Sequence, residues 1–332
     1  MKTYYAKDAD LDLVRNKRVA IIGYGNQGHA HALNLRDSSV KHITVGARPG
    51  ASADKAQADG FAVMPNAEAV KHADIVVMGV PDEQMPEIYA RDLAPNMLKN
   101  ATLLFIHGFA IHYNFVRPRE DLDVIMVAPA GPGRALRANY LSGDGYIGLF
   151  AIHRDVSGQA KPLALSYGAA IGCGAGLFET DFREETETDL FGEQTVLCGG
   201  SAELVRAAFD TLVNAGYAPE LAYLECLHQL KLLVDLMHTR GIAGMYKAIS
   251  NTAEFGAYRT GPRVINDETR AEMKAVLADV QSGKFAKDWM ADNAAGQPEF
   301  KKLREQAASH PIETIGTRLR AMMPWLDKLS GR

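Results

Sequence analysis

Short apolar runs rich in β-branched residues alternate with amphipathic stretches through the first half of the chain. Residues 18–22 (Arg-Val-Ala-Ile-Ile) read as a buried strand, followed by a helix over about 26–35. Further strands are expected over 42–45, 73–80, 102–106, 124–128 and 146–151. Strands separated by helical segments pair in parallel through right-handed crossovers, so this half is expected to be a doubly wound parallel α/β sheet. After about Thr180 the texture changes. Helical spacing runs through 202–215, 221–237 and 267–280, punctuated by helix-ending signals at Gly216, Pro219, Gly241 and Gly261-Pro262. β-branched runs bounded by turns nearly vanish there, which predicts an all-α second half. The expected domains are 1–182 and 183–328, packed without a low-complexity linker.

Length agrees with that division, since 332 residues exceed what one hydrophobic core usually organises. Charge narrows the partners. Lys and Arg total 36 against 40 Asp and Glu, a balance that gives no global drive toward nucleic acid or anionic membrane. The opening residues Met1 to Asp8 carry charge and no apolar core, unlike an export signal, and no apolar run reaches the roughly 20 residues that span a bilayer. Cys173, Cys198 and Cys226 are far apart and read as small buried hydrophobes in a reducing compartment. The cytoplasm is the expected location and a small molecule the expected partner.

The chemistry starts at Gly23-Tyr24-Gly25-Asn26-Gln27-Gly28, which follows the first strand and opens the first helix. In that strand-turn-helix setting the pattern is a strong dinucleotide-binding signature of the Rossmann type. Gly23 permits the tight turn, Gly25 lets a pyrophosphate approach the backbone, and Gly28 lets helix and strand pack closely. The helix N-terminus adds free N–H groups and partial positive charge. Where NAD sites usually place an acid, the second strand leads into Val45-Gly46-Ala47-Arg48-Pro49-Gly50-Ala51-Ser52, with no carboxylate before Asp54. Arg48 and Ser52 suit a 2′-phosphate, so NADP(H) is expected, with NAD(H) as the alternative.

Two acidic segments follow in the helical half. Residues 184–193 (Glu-Glu-Thr-Glu-Thr-Asp-Leu-Phe-Gly-Glu) place Asp189 and Glu193 four apart, on one helix face. Paired oxygen donors suit Mg²⁺, although an acidic run is most often a solvated face. Glu225 lies among Leu221, Leu224, Leu227, Leu230 and Leu232, where a carboxylate needs a partner: a metal shared between helices, or a neighbouring Lys or Arg.

Together these strings resemble the ketol-acid reductoisomerases (acetohydroxy acid isomeroreductases), in their short bacterial-type class. The resemblance runs through Gly23 to Ala30, Pro81-Asp82-Glu83-Gln84, His107-Gly108-Phe109, Ala128-Pro129-Ala130-Gly131-Pro132-Gly133, residues 184–194, Glu225-Cys226-Leu227-His228, residues 249–254 and residues 261–265. It implies a Rossmann domain and a knotted helical domain, with active sites completed across a homodimer that can assemble further. It implies NAD(P)H and two Mg²⁺ ions, an alkyl shift in a 2-acetolactate-type substrate, and reduction of the resulting 2-keto acid. By position Asp189 would bridge the metals, Glu193 would hold one and Glu225 the other. Ser250 and the neighbourhood of Glu254 would meet the substrate carboxylate. His107 and Pro129 would border the nicotinamide, and Tyr24, Asn26, Gln27, Asp82, Gln84 and Gly133 would complete the coenzyme site.

Two positions depart from the family pattern. Ala130 stands where the family places an active-site lysine, and Gln229 stands where it places a metal carboxylate. Softer changes fall at Ala51, Ala110 and Arg134. Losing a cation and a metal ligand should damage the alkyl shift more than hydride delivery, and should leave one Mg²⁺ site rather than two. The leading expectation is therefore a reductase with the alkyl shift impaired or lost, acting on a non-standard substrate in specialised biosynthesis. The alternatives are an authentic reductoisomerase of valine and isoleucine synthesis, and a non-catalytic dinucleotide-binding protein.

Overall fold

The structure, a computed structural model, describes residues 1–326. It divides into two compact units, Met1–Thr188 and a second beginning at Asp189. The division falls inside the Phe182–Gly192 helix, at whose start the sequence placed the domain edge. The expected domain end at 328 lies outside the described residues.

The first unit is built on a nine-stranded sheet. In chain order the strands are β1 (Thr3–Tyr4), β2 (Arg18–Ile22), β3 (His42–Gly46), β4 (Ala62–Met64), β5 (Ile75–Met78), β6 (Thr102–Phe105), β7 (Asp123–Pro129), β8 (Ile147–Arg154) and β9 (Gly176–Glu179). Their spatial order is β1-β9-β8-β7-β6-β5-β2-β3-β4. Side chains alternate across the pleat: Val19, Ile21, Ile75 and Val77 enter one core layer, and Ala20, Ile22, Val76 and Met78 the other. Burial on both faces explains why these strands read as continuous apolar runs.

The expected parallel sheet needs a correction. Strands β2 to β7 pair in parallel, but β8 runs antiparallel to β7 and β1 antiparallel to β9. The Gly133–Ser142 helix is an excursion at the carboxyl edge of the sheet and not a crossover. Gly143 ends it in the left-handed region at φ 78°, and Ala130 N–H then donates to Ile147 O as the chain returns opposite Pro129. Antiparallel pairing needs no crossover helix, so the strand reverses. The helix Ala160–Ala170 does cross over, and β9 lies parallel to β8.

The second unit is helical throughout its described residues. Val205, Phe209, Ala222, Tyr223, Ile312 and Leu319 form its core. The helix expected over 221–237 is broken up: Pro219–Tyr223 passes into a π-type turn at Leu224–His228 and then into Gln229–Tyr246. Gly241 interrupts the last segment at φ 73°. Gly261-Pro262 does not end a helix at once; Pro262 lies in the last turn of Asn251–Val264, gives up one i→i−4 backbone bond, and the helix stops two residues later. The cysteine expectation holds only for Cys173. Cys198 is exposed and Cys226 half-buried, because their helices leave those faces uncovered. No helix of the described residues is long and apolar enough to cross a membrane.

Among the titratable groups that the α/β core encloses and the chemistry does not call on, one bears on stability. His31, on the Asn26–Asp37 helix, is fully buried with Nδ1 2.9 Å from the Tyr167 hydroxyl. Burial pushes its pKa down to about 3. The folded state therefore refuses a proton that the unfolded chain takes up below about pH 6.5, so stability is lost as pH falls from there toward 3. The loss assigned to this residue at pH 5 is about 2 kcal/mol. His31→Gln should flatten the decline by that amount, read as urea-unfolding free energies at pH 7.5 and pH 5; parallel declines would disprove the assignment.

Candidate active site

The sheet reverses its strand order between β2 and β5, and a cleft opens at the carboxyl ends of the strands there. Ligands of doubly wound sheets bind at such a switch point. The cleft holds about 550 Å³ and is lined by Gly23, Tyr24, Gly25, Arg48, Ser52 and Gln84, with Ala51 and Gly79 beside them. Six residues proposed from sequence for the coenzyme are thus brought together. The Asn26–Asp37 helix starts at its rim, its first-turn N–H groups lacking helical partners by geometry.

The glycines divide the work. Gly23 sits at φ 92°, in the left-handed region, and a Cβ there would lie 2.7 Å from Gly79 O. A Cβ on Gly28 would lie 2.3 Å from Gly23 O, so this residue is required by the protein's own packing. A Cβ on Gly25 would meet no protein atom within 4 Å. Its bareness leaves room for something outside the fold.

The segment after β7 docks on the same helix start. Gln27 Nε2 donates to Gly131 O at 3.0 Å, and a Cβ on Gly133 would fall 2.2 Å from Asn26 O. Pro129 is buried at the end of β7, while Ala130 is exposed one residue later. The missing lysine would therefore have projected from a loop held against the glycine-rich turn. Asp82 begins the short helical turn that ends at Gln84.

His107 follows β6 and is fixed by a residue the sequence reading assigned to a solvated run. Glu185 has only 4% of its surface exposed. One of its oxygens lies 2.9 Å from His107 Nδ1 and the other accepts from Gly108 N–H at 2.8 Å. This grip holds the ring in place and sets Nδ1 as the donor. Glu187 is buried too, 3.2 Å from His112 Nε2. His112 has its pKa lowered by burial, which outweighs the raising effect of Glu187. A helical residue buried every fourth position would have been the signal, but Phe182 and Leu190 alone mark that face in the sequence.

The helical unit carries the candidate metal ligands. Asp189 is exposed near the end of its helix, and Glu193 opens a π-type turn over Glu193–Leu197. Glu225 lies in the second such turn of this unit, Leu224–His228. π-turns inside helices often mark functional positions, and sequence periodicity does not announce them. Glu225 is exposed, and its partner is neither Lys nor Arg: Gln229 Nε2 donates to Glu225 Oε1 at 2.8 Å. Leu221 and Leu232 of the expected apolar seam are themselves exposed in the single chain. Among the described residues no three His, Cys, Asp or Glu side chains gather as a metal group, so Asp189, Glu193 and Glu225 do not converge within one chain. Ser250 caps the Asn251–Val264 helix, accepting from Ala253 N–H at 3.2 Å, and Glu254 accepts from Tyr258.

Comparison with known proteins decides the family. Residues 13–176 match the acetohydroxy acid isomeroreductase NADPH-binding domain, and residues 182–325 match the ketol-acid reductoisomerase C-terminal domain. The chain belongs to the ketol-acid reductoisomerase family. A solved NADH-preferring ketol-acid reductoisomerase from an uncultured archaeon is 42% identical, with a TM-score of 0.94 over 97% of this chain and 99% of that one. More distant likenesses concern the fold alone. A semialdehyde dehydrogenase NAD-binding protein from Cupriavidus necator is 17% identical, with a TM-score of 0.60 over 80% and 99% of the two chains. A pyrroline-5-carboxylate reductase from Coxiella burnetii is 14% identical, with a TM-score of 0.55 over 80% and 96%.

Family membership makes this ketol-acid reductoisomerase relative an NAD(P)H-dependent oxidoreductase. The likeness spans both units, and it supports the ordinary reductoisomerase reading better than the divergent-substrate expectation raised by Ala130 and Gln229. The residues fit a dinucleotide: open space at Gly25, a helix start at the rim, and Arg48 and Ser52 across the cleft. The carboxylates fit a hard cation in donor type. The glycine geometry separates two variants. Gly25→Ala should fold with wild-type thermal stability, to within a few degrees, yet lose NADPH binding. Gly28→Ala should lower the unfolding midpoint sharply. Thermal melts and coenzyme fluorescence titration check both, and a Gly25→Ala protein that binds NADPH normally would contradict the role given to that space.

Proposed function

We propose that the chain is a Mg²⁺-dependent ketol-acid reductoisomerase that converts 2-acetolactate to 2,3-dihydroxyisovalerate with NADPH. The reductoisomerase reading rests above all on the 42% identity to a ketol-acid reductoisomerase over 97% of this chain and 99% of that one, and the choice of NADPH, where that enzyme prefers NADH, on Arg48 and Ser52. It is supported by retention of Asp189, Glu193 and Glu225 and by the intact glycine-rich cleft. When bound, Mg²⁺ supplies Lewis acidity to the substrate hydroxyl and carbonyl, and NADPH supplies the reducing equivalent.

The chain's own residues do the rest by position. Gly25 and the start of the Asn26–Asp37 helix take the pyrophosphate, with Asn26, Gln27 and Gly133 shaping that end of the site. Arg48 and Ser52 take the 2′-phosphate, and Tyr24, Asp82 and Gln84 bound the dinucleotide. His107, gripped by Glu185, and Pro129 border the nicotinamide. Asp189 and Glu193 hold one cation. Glu225 is supplied by a second copy of the chain, which accounts for the failure of the three carboxylates to gather within one. Ser250, as a hydroxyl donor, and the neighbourhood of Glu254 meet the substrate carboxylate.

One observation favours a second reading. Gln229 brings an amide N–H to Glu225 where the family has a second carboxylate, and Ala130 removes a cation. Both changes weaken the groups that serve the alkyl shift, so the second reading is a reductase with that step impaired, holding one Mg²⁺ and acting on a different keto or imine substrate.

NADPH oxidation with Mg²⁺ separates the readings when 2-acetolactate is compared with 3-hydroxy-3-methyl-2-oxobutanoate, the rearranged intermediate. Turnover of both is expected, and Ala130→Lys combined with Gln229→Glu should raise acetolactate turnover by about 10²-fold, the scale of one positioned acid–base group. Reduction of the rearranged compound alone would establish the second reading. The coenzyme assignment has its own check: Arg48→Ala should weaken NADPH binding about tenfold, the scale of a charge-assisted pair, with NADH changed less than twofold. Equal losses for the two nucleotides would remove Arg48 from the 2′-phosphate.

A further inference from the structure

The cleft has two walls from different parts of the chain, and one carboxylate joins them. The glycine-rich turn with its helix is one wall. The other is the segment 48–52, which runs into the helix Ala51–Ala58. That helix ends at Asp59, about 10 Å from Ser52 at 1.5 Å per residue. Asp59 Oδ2 accepts from the Tyr24 hydroxyl at 2.9 Å and lies 3.4 Å from His29 Nε2. Its backbone oxygen accepts from Arg36 Nη1 at 2.7 Å. Tyr24, His29 and Arg36 all belong to the glycine-rich turn or the helix it opens. Rings close the junction: Tyr24 meets His29 edge-on at 5.4 Å and tilts against Phe61 at 5.9 Å, while the Arg36 guanidinium lies 5.2 Å over Phe61.

Tyr24 is 3% exposed, so its hydroxyl has no bulk water to turn to. Burial first, and Asp59 second, raise its pKa well above the ordinary phenol value, which keeps it a permanent donor. His29 has its pKa lowered, chiefly by burial and by Lys55, so at neutral pH it contacts Asp59 as an uncharged ring. The tie is therefore a Tyr–carboxylate hydrogen bond backed by an arginine on the main chain, and it does not depend on histidine charge.

We propose that Asp59 is a specificity-positioning residue: by tying the Ala51–Ala58 helix to Tyr24 and Arg36, it fixes Arg48 and Ser52 at the spacing a 2′-phosphate requires. The inference rests on the assignment of Arg48 to the 2′-phosphate and adds a residue that touches no nucleotide. A short helix anchored at its far end transmits position to its near end as a rigid body, which sets Ser52; Arg48 is then held between that helix and the end of β3, where Gly46 O accepts from Gly23 N–H. Loosening that anchor should therefore cost the contacts that only NADPH makes. The adenine, ribose and pyrophosphate contacts on the glycine wall should change little.

The test uses Asp59→Asn and, as a milder variant, Tyr24→Phe, each in the full chain. Coenzyme fluorescence should show NADPH dissociation constants raised about five- to tenfold for Asp59→Asn, with NADH raised less than twofold; one moderate coupling has this scale. Adding Asp59→Asn to Arg48→Ala should produce no further change in the NADPH-to-NADH ratio. Hydrogen exchange gives a readout free of nucleotide: amides of residues 51–58 should exchange faster in Tyr24→Phe, with those of β2 and β5 unchanged. A uniform weakening of both coenzymes, or unchanged exchange over 51–58, would overturn the proposal and leave Asp59 as a structural residue. If Arg48→Ala shows no nucleotide preference, the 2′-phosphate reading fails, and the exchange result still decides whether the tie exists.

Discussion

Everything in the first unit is arranged around a place where three stretches of backbone nearly touch. Gly23 O lies 2.3 Å from where a Cβ of Gly28 would be, and Gly79 O 2.7 Å from where a Cβ of Gly23 would be. The turn after β2, the first turn of the following helix and the end of β5 are thereby packed main chain to main chain. That contact draws the helix N-terminus up to the sheet edge at the point where strand order reverses. It leaves Gly25 facing open space with unpaired helix N–H groups beside it. On the proposed reading, the site for an anion is a by-product of this close packing.

The other parts of the cleft hang on that junction at increasing distance. Gly133 packs on Asn26, and Gln27 holds Gly131, so the loop after β7 is registered against the helix start directly. The 48–52 segment leaves the end of β3, where Gly46 O accepts from Gly23 N–H at 2.8 Å, and the helix it enters is held at its far end by Asp59. His107 is registered from elsewhere again, by Glu185 of the Phe182–Gly192 helix. On the proposed reading, nucleotide phosphates would thus meet rigid backbone. Features that distinguish coenzymes or approach the reacting end are held by side chains, which are easier to alter without loss of the fold.

That difference also explains what could be read from the sequence. Strands β2, β5, β6 and β7 were legible because burial on both faces makes each a run of apolar residues between turns, and the partly buried β3 and β8 because their apolar and β-branched residues stand out between turns. Strands β1 and β4 are two and three residues long and make no pattern. The short β9 went unread as well, and so did the reversal of β8, which depends on Gly143 and the pairing of Ala130 with Ile147. The glycine-rich turn was legible because local backbone needs select residue type at fixed spacing. Glu185 was hidden in an acidic run whose members look alike until burial separates Glu185 from Glu184. The Tyr24–Asp59 bond joins residues 35 apart and no local rule marks it. The carboxylates of the helical unit were legible only through family likeness, since within one chain they do not form a group.

The two departures from the family pattern are better understood as a pair than singly. Ala130 in place of lysine removes one positive charge, and Gln229 in place of glutamate removes one negative charge. On the proposed reading both belong to one assembled site, whose net charge is then unchanged, so an anionic substrate meets a similar long-range field. Short-range effects do not cancel in this way. An amide donor beside Glu225 competes with a cation for the same oxygen, whereas a second carboxylate would recruit one. On the proposed reading, substrate capture and hydride delivery would draw mainly on the field and on positioning. The alkyl shift would draw on polarisation at a few ångströms, and on that reading it is the step on which these two side chains would bear.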